Sequence, residues 1–296
     1  KPVNSANTFN VCVIGHITWD LIKSKNITRK LPGGVAYYSS IALKSLGSNV
    51  CVVTKTAVKD QNLLTDLIKK GIKIFYRVSQ ETTFFENIYP NSLDSRIQKV
   101  RSIADSFTIE DLPEISVQMF HLGPLTKEDI PLEVLRVLSK KAKISLDIQG
   151  FVRKINKGEV KSVDWTEKEE GLTYVDILST SETEAKTLSG ETDVKEAAIR
   201  LSSYGIEEVI ITRGTLGSLI FSKGEFCTIP SFSPRTIADA TGCGDTYIAG
   251  YLHKRLRLSN ISDSGRFASA IAALKIENFG AFMGIEADVQ KFLEKH

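Results

Sequence analysis

Short apolar runs rich in β-branched residues alternate along the chain with longer segments whose apolar residues recur at helical spacing. The run FNVCVIG (9–15) reads as a buried strand closed by glycine, VAYYSSIALKSLG (35–47) as a helix, and NVCVVT (49–54) as a second strand. The order returns with a strand in MFHLG (119–123), a helix in DIPLEVLRVLSKKA (129–142) and a strand in KISLDIQG (143–150). VDILSTS (175–181), helices over 182–189 and 194–204, and the strand EVIIT (208–212) repeat it. Such alternation predicts an α/β fold, a mostly parallel central sheet flanked by helices on both faces. SLIFS and EFCTI around KG (223–224) predict a hairpin, and helices over about 246–257, 263–277 and 286–294 close the chain.

Two segments interrupt the alternation. Residues 16–32 are polar and mixed, and residues 73–104 contain no helical pattern. TTFFENIY (82–89) and SRIQKVRSI (95–103), separated by PNSLD, read as a hairpin. The expectation is one α/β domain over 1–296 carrying a small β lid built from about 16–32 and 73–104.

Composition narrows the function classes. The 296 residues are 42% hydrophobic and 25% charged, enough apolar material for a substantial core. The formal net charge of +3 comes without a long basic run, so a nucleic-acid partner is not called for. Cys12, Cys51, Cys227 and Cys243 form no CxxC pair, which argues against a zinc cage or disulfide framework and suits a reducing compartment. No apolar stretch reaches the ~18 residues of a membrane span, and KPVNSANTFN lacks the apolar heart of a signal peptide. A cytoplasmic location with no membrane partner is the expectation.

The chemistry concentrates in TIADATGCGDTYIAGYL (236–252). Two glycines and an aspartate precede an apolar helical run in which Ile248, Ala249 and Leu252 can face a sheet. Thr241 to Asp245 then read as the turn feeding a helix. Glycine permits close approach of backbone to ligand, and a helix N-terminus offers unpaired N–H groups and positive dipole, so the turn suits an anion such as phosphate. An N-cap aspartate after a flexible turn explains the same residues without a ligand. The chain has no GxxxxGK[ST], no GxGxxG after its first strand, and no HRD or DFG set.

DATGCGDTYIAG closely resembles the C-terminal signature of the ribokinase-like (PfkB) sugar kinases. GGVAYYSSIALKSLG (33–47) resembles the family's glycine pair and following helix, and VCVIGHITWDLI (11–22) its opening strand with an aspartate shortly after. STSETEAKTLSG (179–190) resembles its NxxE segment and VIITRGTLGSLIF (209–221) its nucleotide-side strand and turn. The five matches stand in family order and span nearly the whole chain.

The resemblance implies an ATP-dependent kinase with Mg²⁺ and the ribokinase-like fold. Asp245 would be the base that takes the proton from the attacking hydroxyl, and the amides of Gly242, Cys243 and Gly244 the anion hole. In phosphoryl transfer, positioning and charge stabilisation matter more than base strength. A carboxylate at a helix N-terminus is expected to stay ionised. Cys243 replaces the usual alanine, either as a small residue that fits or as an oxidisable thiol. Asp20 corresponds to the aspartate that grips substrate hydroxyls, with Gly33 and Gly34 letting the backbone approach. Glu184 matches the glutamate that organises Mg²⁺ through water, although Ser181 replaces the family's asparagine. Thr212, Gly214 and Gly217 fall on the nucleotide side, and AALKIENFGA (272–281), with Asn278 and Gly280, resembles the segment walling the adenine. A monovalent cation near Asp239 and a homodimer paired through the lid are further implications.

Substrate choice rests on two departures. Tyr38 stands where sugar-kinase relatives commonly have asparagine, which argues against a plain ribose site. ISLDIQGFVRKINKGEVKSVDW (144–165) and ETTFFENIYPNSLDSR (81–96) resemble a branch that includes the myo-inositol kinases. On chemistry alone Asp147, Gln149 and Arg153 can line a hydroxyl-rich pocket, approach ATP phosphates, or hold a strand-end turn. myo-Inositol is the favoured acceptor. Another sugar, a nucleoside (with Phe84, Phe85, Tyr37 or Tyr38 stacking on the base) and a non-catalytic carbohydrate- or nucleotide-binding sensor are the alternatives, and an oxidoreductase lacks its fingerprint.

Overall fold

Strand β1 (Thr8–Ile14) shows how the body is built: Val11 and Val13 enter one apolar layer, Cys12 and Ile14 the other. That is the alternation of a strand buried on both faces. The computed structural model describes residues 8–24, 28–89 and 97–296. After β1 the chain runs out as β2 (Thr18–Ser24) and β3 (Thr28–Gly33), then returns as α1 (Val35–Ser45) and β4 (Val50–Thr56). Helix α2 (Thr65–Lys69), β5 (Lys73–Val78), β6 (Phe84–Tyr89), β7 (Ile97–Ser102), β8 (Ser116–Leu122), α3 (Leu132–Ser139) and β9 (Lys143–Asp147) follow. A short pair, β10 (Arg153–Asn156) and β11 (Glu159–Ser162), precedes α4 (Lys168–Gly171), β12 (Ile177–Ser181), α5 (Glu182–Ser189), α6 (Val194–Ser202) and β13 (Glu208–Thr212). The predicted hairpin is β14 (Ser218–Ser222) and β15 (Glu225–Ile229), and α7 (Cys243–Arg255), α8 (Ile261–Ile276) and α9 (Glu286–Leu293) end the chain.

The large sheet has nine strands in the order β15-β14-β13-β12-β9-β8-β1-β4-β5. It is parallel from β5 to β13, with β14 and β15 added antiparallel. Helices α1, α7 and α8 cover one face with residues such as Ile41, Ile248 and Ile271, and α3, α5 and α6 cover the other with Leu135, Leu188 and Leu201. This is the ribokinase-like α/β arrangement that the motif order implies. No helix among the described residues is long and apolar enough to cross a membrane.

A second sheet of six strands, β10-β11-β7-β6-β2-β3, forms the lid. Its boundaries differ from the expectation in two places. Residues 73–78 do not belong to it: β5 pairs with β4 at the edge of the large sheet, where an edge strand is half-exposed just as a lid strand is. Conversely, β10 and β11 do belong, joined by Lys157 and Gly158, both with positive φ (48° and 82°), the requirement of a tight hairpin turn. The turn PNSLD of the other lid hairpin lies outside the described residues. Val35, Phe85, Val100 and Leu125 form a small separate core where lid meets body.

Candidate active site

The lid supplies the first carboxylate. Asp20 lies within β2, between Leu31 of β3 and Phe85 of β6, buried and accepting a hydrogen bond from Thr18 Oγ1 at 2.8 Å. Gly33 ends β3 directly over it; a Cβ there would come closer than 3.0 Å to the Asp20 carboxylate. Gly34 then caps α1. The glycine pair thus lets a lid carboxylate and the first turn of a body helix occupy adjacent space.

The second carboxylate comes from α7. Its N-cap, Gly242, is left-handed (φ 76°), and a Cβ there would strike the Tyr38 ring. The helix begins earlier than the apolar spacing indicates: Cys243, Gly244 and Asp245 are its first turn, not the loop before it. One expected donor is therefore engaged, since the Cys243 amide donates to Ala240 O at 3.2 Å. The amides at Gly242 and Gly244 stand beside it at the helix mouth, where intrahelical acceptors are lacking.

Asp245 does not keep the low pKa that a helix N-terminus alone would give it. Burial, and next the charge of Asp20, push it up to about 7, against the opposing pull of Arg153 and Lys275. It is a carboxylate tuned to exchange a proton near neutrality. Burial likewise pushes the Cys243 thiol up to about 11, so the oxidisable-thiolate alternative loses its basis. Cys243→Ala is expected to leave turnover unchanged, and alkylating reagents at neutral pH to leave activity intact; rapid thiol-dependent inactivation would contradict this.

Asp20 and Asp245 line one cleft, floored by Gly34, Val35, Tyr38, Thr241 and Gly242 at the mouths of α1 and α7. Two buried oxygens here, Tyr38 Oη and Thr241 Oγ1, make no hydrogen bond among the described residues. Buried polar groups are nearly always paired, so these two point to a polar ligand. Burial raises the Tyr38 phenol well above its usual range, which keeps it a neutral donor. The lid wall carries Asn87 and Gln98, cross-strand neighbours with Gln98 Nε2 donating to Asn87 Oδ1 at 2.9 Å. Sequence reasoning missed this amide pair. The available signal was the polar step Glu86–Asn87 inside the otherwise aromatic and aliphatic run FFENIY.

Gln149 and Arg153 also line the cleft, whereas Asp147 does not. Its Oδ1 accepts from the Gln149 amide at 2.9 Å, the strand-end turn read as an alternative from sequence. Burial, then the charges of Glu184 and Asp245, raise Asp147 well above the carboxylate range. Glu184 has a local role: its carboxylate accepts from Ser181 N at 2.8 Å while Ser181 Oγ accepts from Glu184 N, a capping box at the start of α5. Among the described residues no three His, Cys, Asp or Glu side chains cluster to hold a metal ion directly. Thr212 ends β13, Gly214 and Gly217 shape the turn into β14, and Asn278 and Gly280 follow α8; all lie outside the cleft lining. A larger hollow of about 570 Å³ beside Glu208 and Arg255 opens at the other end of β13, away from the strand C-termini where parallel α/β sheets bind ligands.

Comparison with known proteins agrees with this geometry. The model of the pfkB family carbohydrate kinases matches residues 8–287. The cytidine kinase of Thermococcus kodakarensis is 29% identical over 257 residues, 82% of this chain and 87% of that protein. A pyrophosphate-dependent kinase of the ribokinase family, solved with a pyrophosphate analog and myo-inositol, is 28% identical with a TM-score of 0.86, covering 97% of this chain and all (100%) of that one. Arabidopsis thaliana ribokinase complexed with ribose and ATP shares the fold at TM-score 0.78 and 20% identity, over 97% of this chain and 99% of that one.

Proposed function

Since the chain belongs to the PfkB family of carbohydrate kinases, phosphotransferases acting on sugars and nucleosides, we propose that it transfers the γ-phosphoryl group of ATP to a hydroxyl of a small polyol, with myo-inositol the favoured acceptor. The observation that carries this reading is the pair Asp20 and Asp245, two carboxylates of different elements lining one cleft at two helix mouths.

Asp20 accepts hydrogen bonds from acceptor hydroxyls and fixes the ring. Asp245 takes the proton of the attacking hydroxyl, and its pKa near 7 places it where base strength and ionised fraction are balanced. The Gly242 and Gly244 amides and the positive end of α7 meet the negative charge that develops on the transferred group. Arg153 lines the same cleft and offers a forked cation to phosphate oxygens. Asp147 and Glu184 lie close enough for the charge of one to raise the other, a repulsion that a bound Mg²⁺ fits, held through water. Held there, Mg²⁺ would supply charge neutralisation at the donor phosphates.

The lid favours a polyol over a nucleoside. Each aromatic side chain considered for stacking on a base has another packing or hydrogen-bond contact. Tyr37 donates to Asp66 at 2.7 Å, Tyr38 lies under Gly242, Phe85 belongs to the lid–body core, and Lys30 and Arg101 lie over Phe84. The polar part of the lid wall is the Asn87–Gln98 amide pair, suited to hydroxyls, beside the buried ring of Phe85, which also lines the cleft. Pyrophosphate as donor is a second reading, favoured by the similarity to the pyrophosphate-dependent kinase solved with myo-inositol.

The test is phosphate transfer from ATP and from pyrophosphate to myo-inositol, ribose, fructose, adenosine and cytidine. Turnover of myo-inositol with ATP is the expected result. Turnover with pyrophosphate alone would replace the donor and keep the acceptor; turnover confined to cytidine or ribose would discard the polyol assignment. Ligand binding without turnover across the panel would favour the sensor.

A further inference from the structure

Lys275 is buried (1% exposed) in the last turn of α8, directly behind the phosphate-receiving turn. Its Nζ donates to Asp239 O at 2.8 Å and lies 3.5 Å from Asp239 Oδ2, a buried oxygen with no hydrogen bond among the described residues. On the other side the Tyr38 ring centroid is 5.6 Å from Nζ, within cation–π range. The amides of Ala238 and Asp239 donate to Ile276 O, the residue next to Lys275. Asp239 Oδ1 in turn accepts from Thr241 N at 2.9 Å, one residue before Gly242. The end of α8 therefore grips the turn twice, once through backbone and once through an ammonium.

The monovalent cation that the family resemblance implies near Asp239 does not fit this arrangement. The Asp239 carbonyl oxygen accepts from the Lys275 ammonium and Asp239 Oδ2 faces the same positive charge at 3.5 Å, so a second cation among them would stand against that ammonium. We propose that Lys275 is the protein's own tethered monovalent cation: a positioning residue that fixes the 239–242 turn, and with it the Gly242 and Gly244 amides, so that activity is independent of K⁺. A lysine ammonium is a compact point charge with three rotatable donors and replaces a bound cation of the same charge without a binding equilibrium. The proposal rests on the phosphotransfer reading above for its kinetic part, not for its stability part.

The experiment compares KCl, NaCl and tetramethylammonium chloride at equal ionic strength. Wild-type turnover and melting temperature are expected to be the same in all three; activation or stabilisation specific to K⁺ would overturn the proposal. Lys275→Ala is expected to lower kcat about 10²-fold through displacement of the turn, with acceptor KM little changed. Adding K⁺ or methylammonium should then restore part of kcat and raise the melting temperature of the variant, as it does not for wild type. Undiminished kcat in a folded Lys275→Ala variant, or loss that neither cation repairs, would sink the idea. If the variant does not fold, the wild-type salt series decides alone. If no acceptor is turned over at all, the kinase reading fails while the melting-temperature series still settles the cation.

Discussion

Asp245→Asn should lower kcat about 10³-fold while donor and acceptor still bind, because a positioned general base contributes about 10²- to 10⁴-fold and asparagine keeps shape but cannot take a proton. The wild-type pH profile gives an independent reading of the same group. Burial and Asp20 raise Asp245 to about 7. A base works deprotonated, so kcat/KM, which reports the free enzyme, should be level above that pH and fall tenfold per pH unit below it. The limb should be absent from what activity Asp245→Asn retains. A profile flat down to pH 5, or a variant keeping more than about a tenth of wild-type kcat, would remove Asp245 from the base role, since both lie outside what such a base contributes. A binder without catalysis would show neither the loss nor the limb.

The alternation of buried strands and amphipathic helices made the body of the fold legible, since each element there buries its own face and announces it by period. The lid was harder. KIFYRV and FFENIY are both short runs rich in aromatic and β-branched residues, yet β5 closes the large sheet and β6 centres the small one. Strand propensity reports that a segment is extended, not which sheet it joins. RKIN and EVKS were invisible as strands because they are short and mostly exposed. Asp20, Gly34, Gly242 and Asp245 could be placed in one cleft from motif order. What could not be read was electrostatic: the neutral-range Asp245, the Asp147–Glu184 repulsion and the burial of Lys275 arise from residues far apart in sequence. Lys275 looks in sequence like any basic residue at a helix end. Its meaning comes only from the 239–242 turn folded onto it.

Gly33→Ala should cost as much activity as removing the carboxylate it touches. A Cβ at Gly33 meets the Asp20 carboxylate closer than 3.0 Å, and Gly33 does not have a positive φ, so the backbone accepts alanine and the side chain must move. On the proposed function, Asp20→Ala would remove two charge-assisted hydrogen bonds to acceptor hydroxyls, about 1.5–3 kcal/mol each, or roughly 10²-fold or more in kcat/KM. Gly33→Ala should produce a similar loss by turning the same carboxylate away. The two changes act on one group, so the double variant should be no worse than Asp20→Ala alone. Its melting temperature should exceed that of Gly33→Ala, because the clash is gone. The two losses multiplying in the double variant would show that Gly33 acts elsewhere. The same series bears on the base: Asp20 raises Asp245 by its charge, so Asp20→Ala should move the acidic limb to lower pH. A limb that stays in place would mean that burial alone sets it. A limb that moves down, together with non-additive losses, would tie the lid carboxylate, the glycine against it and the base on α7 into one electrostatic unit, in which the residue that grips the acceptor also sets the proton affinity of the residue that activates it.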